Sequence, residues 1–244
     1  GKYLIDAPIG VGGMGAVFSA THTLLDKKVA IKVMLTTDQQ ATARLVREAR
    51  AASATGHPNI AAVTDMGKTP GGALFVVMEF LDGKTLKELL ERKPLGPRRA
   101  LRLTAQILAG LEVVHHKGII HRDLKPDNLM LVRDAEGEET IKILDFGISK
   151  VLSEDKDKLH LTDTGLVMGT PLYMSPEQAR ADESIGAPTD VYAVGAILYA
   201  MLCGQPPHVA ETLASLISAK LEQPPVPPSQ RDESLPPAID AVVL

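Results

Sequence analysis

The sequence has a single cysteine, no long run of basic residues and no apolar run long enough to cross a membrane. Cys203 has no second thiol with which to form an internal disulfide, which is compatible with a reducing compartment. Lys and Arg total 26 against 30 for Asp and Glu, a net charge of −4 that disfavours a dedicated nucleic-acid-binding protein. The longest apolar run spans residues 191–204, shorter than the roughly 18 to 20 residues that a bilayer requires. This run predicts a buried core helix.

The first residues of the sequence do not have the pattern of a targeting leader. No basic and apolar segment with a small-residue cleavage site opens the chain, and its first residue is Gly1 rather than Met. We therefore expect an excised fragment of a longer protein. Its 244 residues, 45% hydrophobic and 23% charged, are typical of folded globular proteins with one or two domains.

The apolar pattern changes character at Asp82-Gly83. Before this point, the pattern predicts strands and tight turns over residues 1–35, a helix from Thr37 or Asp38 to Gly56, and strands at 60–63 and 74–80. After it, helices predominate, at 86–92, 97–116, 191–204 and 212–221.

The C-terminal segment is rich in proline. Six prolines lie between Pro224 and Pro237, a composition typical of an extended segment or loop. Ile239, Val242 and Val243 then resume a helical apolar face, which we expect to be buried.

A glycine-rich segment near the start has the pattern G-x-G-x-x-G, at Gly10, Gly12 and Gly15, with a further glycine at Gly13. A dinucleotide-binding fold would place a helix directly after the glycines, but residues 16–20 have a strand-like pattern. A Walker loop would continue with Gly-Lys-Ser/Thr, and alanine follows the last glycine instead. We expect a hairpin whose tip brings backbone N–H groups close to phosphates; this motif alone is equally compatible with a plain flexible turn.

Lys32 is the charged residue of the apolar strand V-A-I-K-V-M-L at residues 29–35. A buried lysine is costly unless its charge is paired. Glu48 lies on the inward face of the predicted helix that follows, three residues after Leu45, and is the candidate partner. The alternative is that Lys32 extends to the surface and Glu48 lies at the edge of its helix face. Lys32 and Glu48 are both charged residues at positions predicted to face the interior, and they lie near a loop suited to phosphate binding. These observations favour an ion pair between them.

Residues 119–128 read I-I-H-R-D-L-K-P-D-N, a polar cluster whose proline excludes a continuous helix. Two short strands follow at 129–132 and 141–144. If they pair as a hairpin, Asn128 before the first and Asp145 after the second fall at the same end. An amide oxygen beside a carboxylate suits a hard cation such as Mg²⁺. A single acidic residue here would be typical of a solvated turn, so the interpretation depends on the assembled set.

At this point the sequence resembles the eukaryotic-type (Hanks-type) serine/threonine protein kinase family over nearly its whole length. Besides the glycine-rich segment it carries V-A-I-K at 29–32, H-R-D-L-K-P-D-N at 121–128, D-F-G at 145–147 and S-P-E at 175–177, in the family's order and at its spacings. The G-G-M-G segment and the glutamine that follows S-P-E are similar to the bacterial members.

The resemblance implies an α+β, two-lobed protein kinase-like fold for residues 1–244. An N-lobe with its hinge would comprise residues 1–81, as a small antiparallel sheet with one regulatory helix, and a larger, mainly helical C-lobe would comprise residues 82–244. The family continues through further helices that carry an arginine pairing with Glu177, so we expect the C-lobe to be incomplete at its end.

The resemblance also assigns catalytic roles. Lys32, held by Glu48, would contact the α and β phosphates of ATP. Asp123 would orient the substrate hydroxyl and accept its proton, and Lys125 would neutralise the transferring phosphoryl group.

The implied cofactors are ATP and Mg²⁺, with Mn²⁺ as a substitute, and the metal ligands would be Asn128 and Asp145. The nucleotide would lie between the two lobes. The residues that the resemblance places around it are Ile9, Gly10, Gly12, Gly13, Gly15, Val17, Ala30, Lys32, Met78, Glu79, Leu81 and Met130.

A long polar segment, residues 147–170, separates the D-F-G motif from the Gly-Thr-Pro at 169–171 that resembles the serine/threonine branch. A phosphate on Thr162 or Thr164 would form charge-assisted hydrogen bonds to Arg122, beside the catalytic aspartate. We expect autophosphorylation at one or both threonines; the alternative is that they are ordinary solvated loop residues.

The implied function is transfer of the ATP γ-phosphate to Ser/Thr hydroxyls of protein substrates. It implies a cytoplasmic location, as a free protein or as the cytoplasmic part of a membrane-anchored one, with dimerisation as a route to autophosphorylation. A small-molecule phosphotransferase of related fold would lack the peptide platform at 169–177. A pseudokinase usually loses one of three residues that are present here, namely Lys32, Asp123 or Asp145.

Overall fold

The computed structural model describes residues 1–12, 15–34, 46, 55–145, 171–182 and 185–244. Nearly all of the helix predicted up to Gly56 lies outside these residues. The same is true of four residues predicted to be functional, Gly13, Glu48, Thr162 and Thr164.

Five antiparallel strands form the N-terminal sheet, in the spatial order β1-β2-β3-β5-β4. Their bounds are Tyr3–Gly12 for β1, Gly15–His22 for β2, Lys27–Met34 for β3, Val63–Lys68 for β4 and Leu74–Glu79 for β5. The glycine-rich segment is the end of the β1–β2 hairpin, where Gly12 pairs with Gly15. A Cβ at Gly15, whose φ is +155°, would lie 2.1 Å from the carbonyl oxygen of Val33. Glycine is therefore required for β3 to approach the hairpin this closely.

The strand predicted at residues 60–63 is wrong. Ile60 makes only an isolated parallel bridge to Ile143, and the strand β4 begins at Val63. Ile60 is 2% exposed because it packs into the core of the helical part, whereas β4 is an edge strand with many partly exposed side chains. The apolar run thus marks a core contact rather than a strand.

A second antiparallel sheet, in the order β6-β7-β8, begins the C-terminal part. Its strands are Gly83–Thr85, Leu129–Arg133 and Glu139–Ile143. The α-helices of the described residues are Leu86–Leu90 (α1), Pro97–His115 (α2), Pro176–Ala179 (α3), Ala187–Cys203 (α4), Leu213–Glu222 (α5), Pro228–Arg231 (α6) and Asp240–Val243 (α7). Short 3₁₀ turns cover Pro126–Asn128, Pro171–Tyr173 and Pro237–Ile239.

The largest hydrophobic core lies in this C-terminal part. It joins α2, α4, β7 and β8, and the apolar run of the sequence forms most of α4, a nearly all-round buried helix that ends at the left-handed Gly204. The N-terminal sheet has two smaller clusters. The predicted α+β class, an antiparallel sheet followed by a mainly helical part, is confirmed. Among the described residues, no helix is both long and apolar enough to span a bilayer.

The proline-rich segment is only partly extended. Pro228 begins the short helix α6, because proline's fixed φ suits the first turn of a helix. Of the apolar face predicted after it, Ile239 is 5% exposed and Val243 packs against the core, but Val242 is 64% exposed. The prediction that all three residues are buried is therefore wrong for Val242.

Candidate active site

Three polar side chains converge in the loop that precedes β7. The ammonium of Lys125 donates to the carboxylate of Asp123, at 2.9 Å from Oδ2. The amide nitrogen of Asn128 donates to the backbone carbonyl of Asp123 at 2.7 Å, which orients the side chain within the 3₁₀ turn. The Asp123 side chain remains 36% exposed, so a substrate group can reach it.

The β7–β8 hairpin brings Asn128 and Asp145 to one end, as the spacing predicted. Asn128 directly precedes β7, Asp145 follows β8 by two residues, and the N–H of Leu144 donates to the carbonyl of Asn128 at 2.9 Å. Asp145 has a φ of +54°, an uncommon conformation for a residue other than glycine. Such backbone strain persists only where the surroundings determine it.

Lys32 points from β3 toward the same end of the hairpin. Its Nζ lies 2.8 Å from Oδ2 of Asp145, and its side chain is 11% exposed. The prediction that Lys32 needs an anionic partner therefore fits the structure, but the partner among the described residues is Asp145. The other candidate, Glu48, lies outside them.

Asp190, in the first turn of α4, holds residues 121–128, which we call the catalytic loop because the sequence resemblance assigns catalytic roles to Asp123 and Lys125. It is fully buried, and its carboxylate accepts hydrogen bonds from the backbone N–H groups of His121 and Arg122, both at 2.8 Å. The Nε2 of His115 lies 2.7 Å from the same carboxylate. These bonds support the left-handed φ of +65° at Arg122, the residue before Asp123. Sequence reasoning missed Asp190, although an aspartate in an otherwise apolar helix was a signal that could have identified it.

The buried His121 ring links the two motifs of the site. Its Nε2 lies 2.8 Å from the carbonyl oxygen of Leu144, and its Nδ1 lies 3.4 Å from the backbone nitrogen of Asp123. A neutral ring with its proton on Nε2 satisfies both contacts, since it then donates to the carbonyl and accepts from the amide. Asp123 and the residue before Asp145 are thus held in a fixed relation.

A cavity of about 230 Å³ lies beside the catalytic loop. Asp127 lines it and pairs with Lys87 of α1 at 3.0 Å. Burial, and after it the charge of Asp127, raises the pKa of Tyr173 to about 12, so this phenol stays protonated. On the same side, Gln178 of α3 donates to the carbonyl oxygen of Arg122 at 2.7 Å. The segment 171–178 is therefore tied directly to the catalytic loop.

Most of the predicted nucleotide-binding residues lie on neighbouring strands of the N-terminal sheet. Ala30 pairs with Met78 across β3 and β5, and Val17 pairs with Gly10 on one side and Lys32 on the other. Ala30 is buried, whereas the other apolar members retain solvent exposure, up to 53% for Ile9. Of the other three, Gly13 lies outside the described residues, and Leu81 and Met130 are half-buried in the connection after β5 and in β7.

The Glu79 side chain has a role beyond its predicted place around the nucleotide. Its Oε1 accepts from the N–H of Ala62 at 2.7 Å and from the ammonium of Lys142 in β8 at 2.8 Å. Glu79 thereby connects β5 to the hairpin that carries Asn128 and Asp145.

The donor set at the hairpin end fits Mg²⁺ that is shared with a phosphate ligand. Asn128 uses its amide nitrogen on Asp123 and leaves its oxygen to coordinate, and Asp145 adds a carboxylate. No cluster of three or more His, Cys, Asp or Glu capable of holding a metal occurs in the part of the chain that the structure describes. Two protein oxygens completed by phosphate and water oxygens match the preference of Mg²⁺ for partly hydrated sites.

Comparison with known proteins agrees with this geometry. The family model described as "Protein kinase domain" matches residues 3–238. The chain is 42% identical to the serine/threonine-protein kinase pkn3 of Myxococcus xanthus, over all of this chain and 45% of that protein. It is 39% identical to the serine/threonine-protein kinase PknB of Mycolicibacterium smegmatis, over all of this chain and 39% of the relative. The chain therefore spans less than half the length of these curated relatives.

Proposed function

The chain belongs to the protein kinase family, and from this premise we propose that it transfers the γ-phosphate of ATP to serine or threonine hydroxyls of protein substrates. The observation that supports this most is the convergence of five polar side chains at one end of the β7–β8 hairpin. Lys32 comes from the N-terminal sheet, Asp123, Lys125 and Asn128 from the catalytic loop, and Asp145 from the residues that follow β8.

In the proposed reaction, Asp123 is the general base. The hydroxyl oxygen of the acceptor attacks the γ-phosphorus, the bond from that phosphorus to the β–γ bridging oxygen breaks, and ADP leaves. Asp123 orients the hydroxyl and takes its proton. Lys125, already 2.9 Å from Asp123, is placed to offset negative charge on the transferring group.

Asn128 and Asp145 would hold Mg²⁺, which supplies charge neutralisation at the phosphates when it is bound. Lys32 would then exchange part of its contact with Asp145 for the α and β phosphates. The glycine-rich hairpin, Ala30, Met78 and Met130 would surround the nucleotide. Glu48 remains a proposed second partner of Lys32.

Regulation by autophosphorylation is a further part of the proposal. Arg122 directly precedes Asp123 in the sequence, and a phosphate on Thr162 or Thr164 would add about −1.5 to −2 charges for its guanidinium to bind. Acceptors would be proteins with Ser/Thr hydroxyls, a second copy of this chain among them. Because ATP is the phosphoryl donor, we place the reaction in the cytoplasm.

The test is incubation of the purified chain with γ-labelled ATP, Mg²⁺ and a lysine- and arginine-rich histone, followed by mapping of the labelled residues. We expect label on Ser or Thr of the histone and on Thr162, Thr164 or both in the chain. Asp123→Asn serves as the inactive control. Label on small hydroxylated metabolites but on no protein would favour a small-molecule phosphotransferase, and ATP binding without transfer to any acceptor would favour a pseudokinase.

Activation is tested with a Thr162→Ala/Thr164→Ala double variant. The proposal expects lower activity toward the histone with unchanged ATP binding. A fully active wild-type chain in which mass spectrometry finds both threonines unmodified would contradict the regulatory part alone.

A further inference from the structure

Lys220 is a buried lysine to which the proposed reaction gives no role. It lies near the end of α5 and is only 6% exposed. Its Nζ donates to the backbone carbonyl of Leu172 at 2.8 Å and lies 5.3 Å from the centre of the Tyr192 ring of α4. No carboxylate lies within ion-pair distance of it among the residues that the structure describes. Burying a cation without a counter-ion costs free energy. We therefore ask what the hydrogen bond from Lys220 to the Leu172 carbonyl contributes.

The group that Lys220 holds lies beside the catalytic loop. Leu172 is the middle residue of the 3₁₀ turn Pro171–Tyr173, and Leu172 and Tyr173 both line the cavity of about 230 Å³. Pro126 and Asp127, directly after Lys125, line the same cavity. The hydrogen bond from Lys220 to the Leu172 carbonyl therefore connects α5 to the wall of this cavity.

We propose that Lys220 is a positioning residue for the acceptor polypeptide, which fixes the Leu172 carbonyl and with it the cavity wall that receives an acceptor side chain. This rests on the proposed protein kinase function. Lys220 touches neither nucleotide nor reacting atoms, so its loss should weaken acceptor binding and spare ATP binding. An ammonium is a stronger donor to a carbonyl than a neutral amine and is also attracted to the ring face of Tyr192.

The protonation state of Lys220 changes within an accessible pH range. Burial lowers its pKa to about 8. The neighbouring groups do not titrate between pH 7 and 9: burial, and then the charges of Lys220 and Arg231, lower the pKa of His208, and burial together with the charge of Glu177 raises the pKa of Tyr192. Glu177 is ionised in this range, since its pKa is lowered. Below pH 8 the ammonium is present, and above it the contact with Leu172 weakens.

The test compares the wild type with Lys220→Met, in which a side chain of similar length keeps the packing and removes the charge. Steady-state kinetics with the histone and with ATP are measured from pH 7 to 9. At pH 7 we expect the KM for the histone to rise about tenfold and the KM for ATP to stay within about twofold. The ratio of the two histone KM values should fall as the pH rises past 8. Lys93→Met, which removes an exposed lysine, is the matched control and should leave both KM values unchanged.

Each outcome separates the two proposals. If the wild type labels the histone and Lys220→Met has the same histone KM, or a KM ratio that does not depend on pH, the positioning role is wrong. If Lys220→Met fails to fold, the pH dependence of the wild-type enzyme is the test. The proposal requires the wild-type KM for the histone to increase when the pH is raised above 8, while the KM for ATP stays constant. If the wild type transfers phosphate to no protein, the proposed function fails and this role fails with it.

Discussion

The two parts of the molecule hold their functional residues in different ways. In the helical part, buried hydrogen bonds fix the catalytic loop, with Asp190 and His121 both fully buried. In the N-terminal sheet, strand pairing positions most of the residues around the predicted nucleotide, with side-chain bonds added at Lys32 and Glu79, and Ile9 and Val11 of β1 are 53% and 84% exposed. Buried hydrogen bonds thus hold the backbone that carries the proposed general base, whereas the sheet leaves apolar surface that a nucleotide base can cover.

Within the part of the chain that the structure describes, two ion pairs connect the N-terminal sheet to the C-terminal part. Lys32 reaches Asp145, and Glu79 reaches Lys142, so both contacts end on β8 or directly after it. The hairpin that carries the candidate metal ligands is therefore also the element against which the sheet is positioned. If this division is correct, changes in the loop should affect turnover and changes in the sheet should affect nucleotide affinity.

The sharpest test of the division is Asp123→Asn. It removes the proposed proton acceptor and touches no phosphate contact, so we expect turnover to fall by about 10²- to 10⁴-fold with ATP affinity nearly unchanged. Rate measurements and calorimetric titration with ATP, with exposed Asp82→Asn as the control, check this. An equal loss of ATP affinity would assign Asp123 to the nucleotide side.

Asp145→Asn tests the element shared by both parts. Since a carboxylate is exchanged for a neutral amide at the candidate metal site, Mg²⁺ should no longer tighten ATP binding. Calorimetric titrations with ATP, with and without Mg²⁺, measure this tightening. In the control variant Asp134→Asn, Mg²⁺ should still tighten ATP binding. A wild type that binds ATP equally well in both conditions would show that the ligand pair is wrong.

Asp190→Asn tests the buried anchor. The NH₂ group of the asparagine would face one or more of the three donors that now point at the carboxylate. The buried polar groups left without a hydrogen-bond partner would cost about 1–3 kcal/mol of stability. Because small displacements of a catalytic group are costly, we expect kcat to fall about 100-fold and the melting temperature to fall by several degrees. A shift in melting temperature with normal kcat would make Asp190 structural only.

Gly15→Ala tests the sheet. Its Cβ would collide with the Val33 carbonyl at a φ of +155°, so the hairpin has to shift away from β3. The KM for ATP should rise about tenfold while the KM for the histone stays near its wild-type value. Gly71→Ala, in an exposed turn where the nearest atom to a Cβ is 3.9 Å away, is the matched control. A change in turnover alone would mean that the sheet takes part in the chemistry.

Local sequence patterns predicted what depends on local structure and missed what depends on distant partners. The hairpin that joins Asn128 to Asp145 follows from two short strands and the turn between them, and α4 follows from its apolar run. The role of Asp190 was not predicted because its hydrogen-bond partner His121 is 69 residues away. No local pattern shows which backbone groups a buried carboxylate will accept hydrogen bonds from. The strand expected at residues 60–63 failed for the same reason, since Ile60 packs against a distant element of the helical part.

The smallest expected effect compares one anchored carboxylate from each part. Burial raises the pKa of Glu139, but bonds from Arg99 and Arg133 outweigh it, so the pKa lies below the ordinary 4.5. A lowered folded-state pKa stabilises the protein above the unfolded-state value, and this stabilisation is lost as the pH falls through the folded-state value. In the sheet, hydrogen bonds from Lys2 and Tyr3 lower the pKa of Asp65, but its side chain is 31% exposed against 7% for Glu139.

Because Glu139 is the better buried of the two, Glu139→Gln should remove more of the acid sensitivity than Asp65→Asn does. Thermal melts at pH 7 and pH 3.5 measure how much of the wild type's loss of melting temperature each variant abolishes. We expect a difference of about 1 kcal/mol, or about 2–4 °C, between the two variants. Equal effects would mean that water screens both carboxylates alike and that the helical part is no more tightly anchored than the sheet at this site.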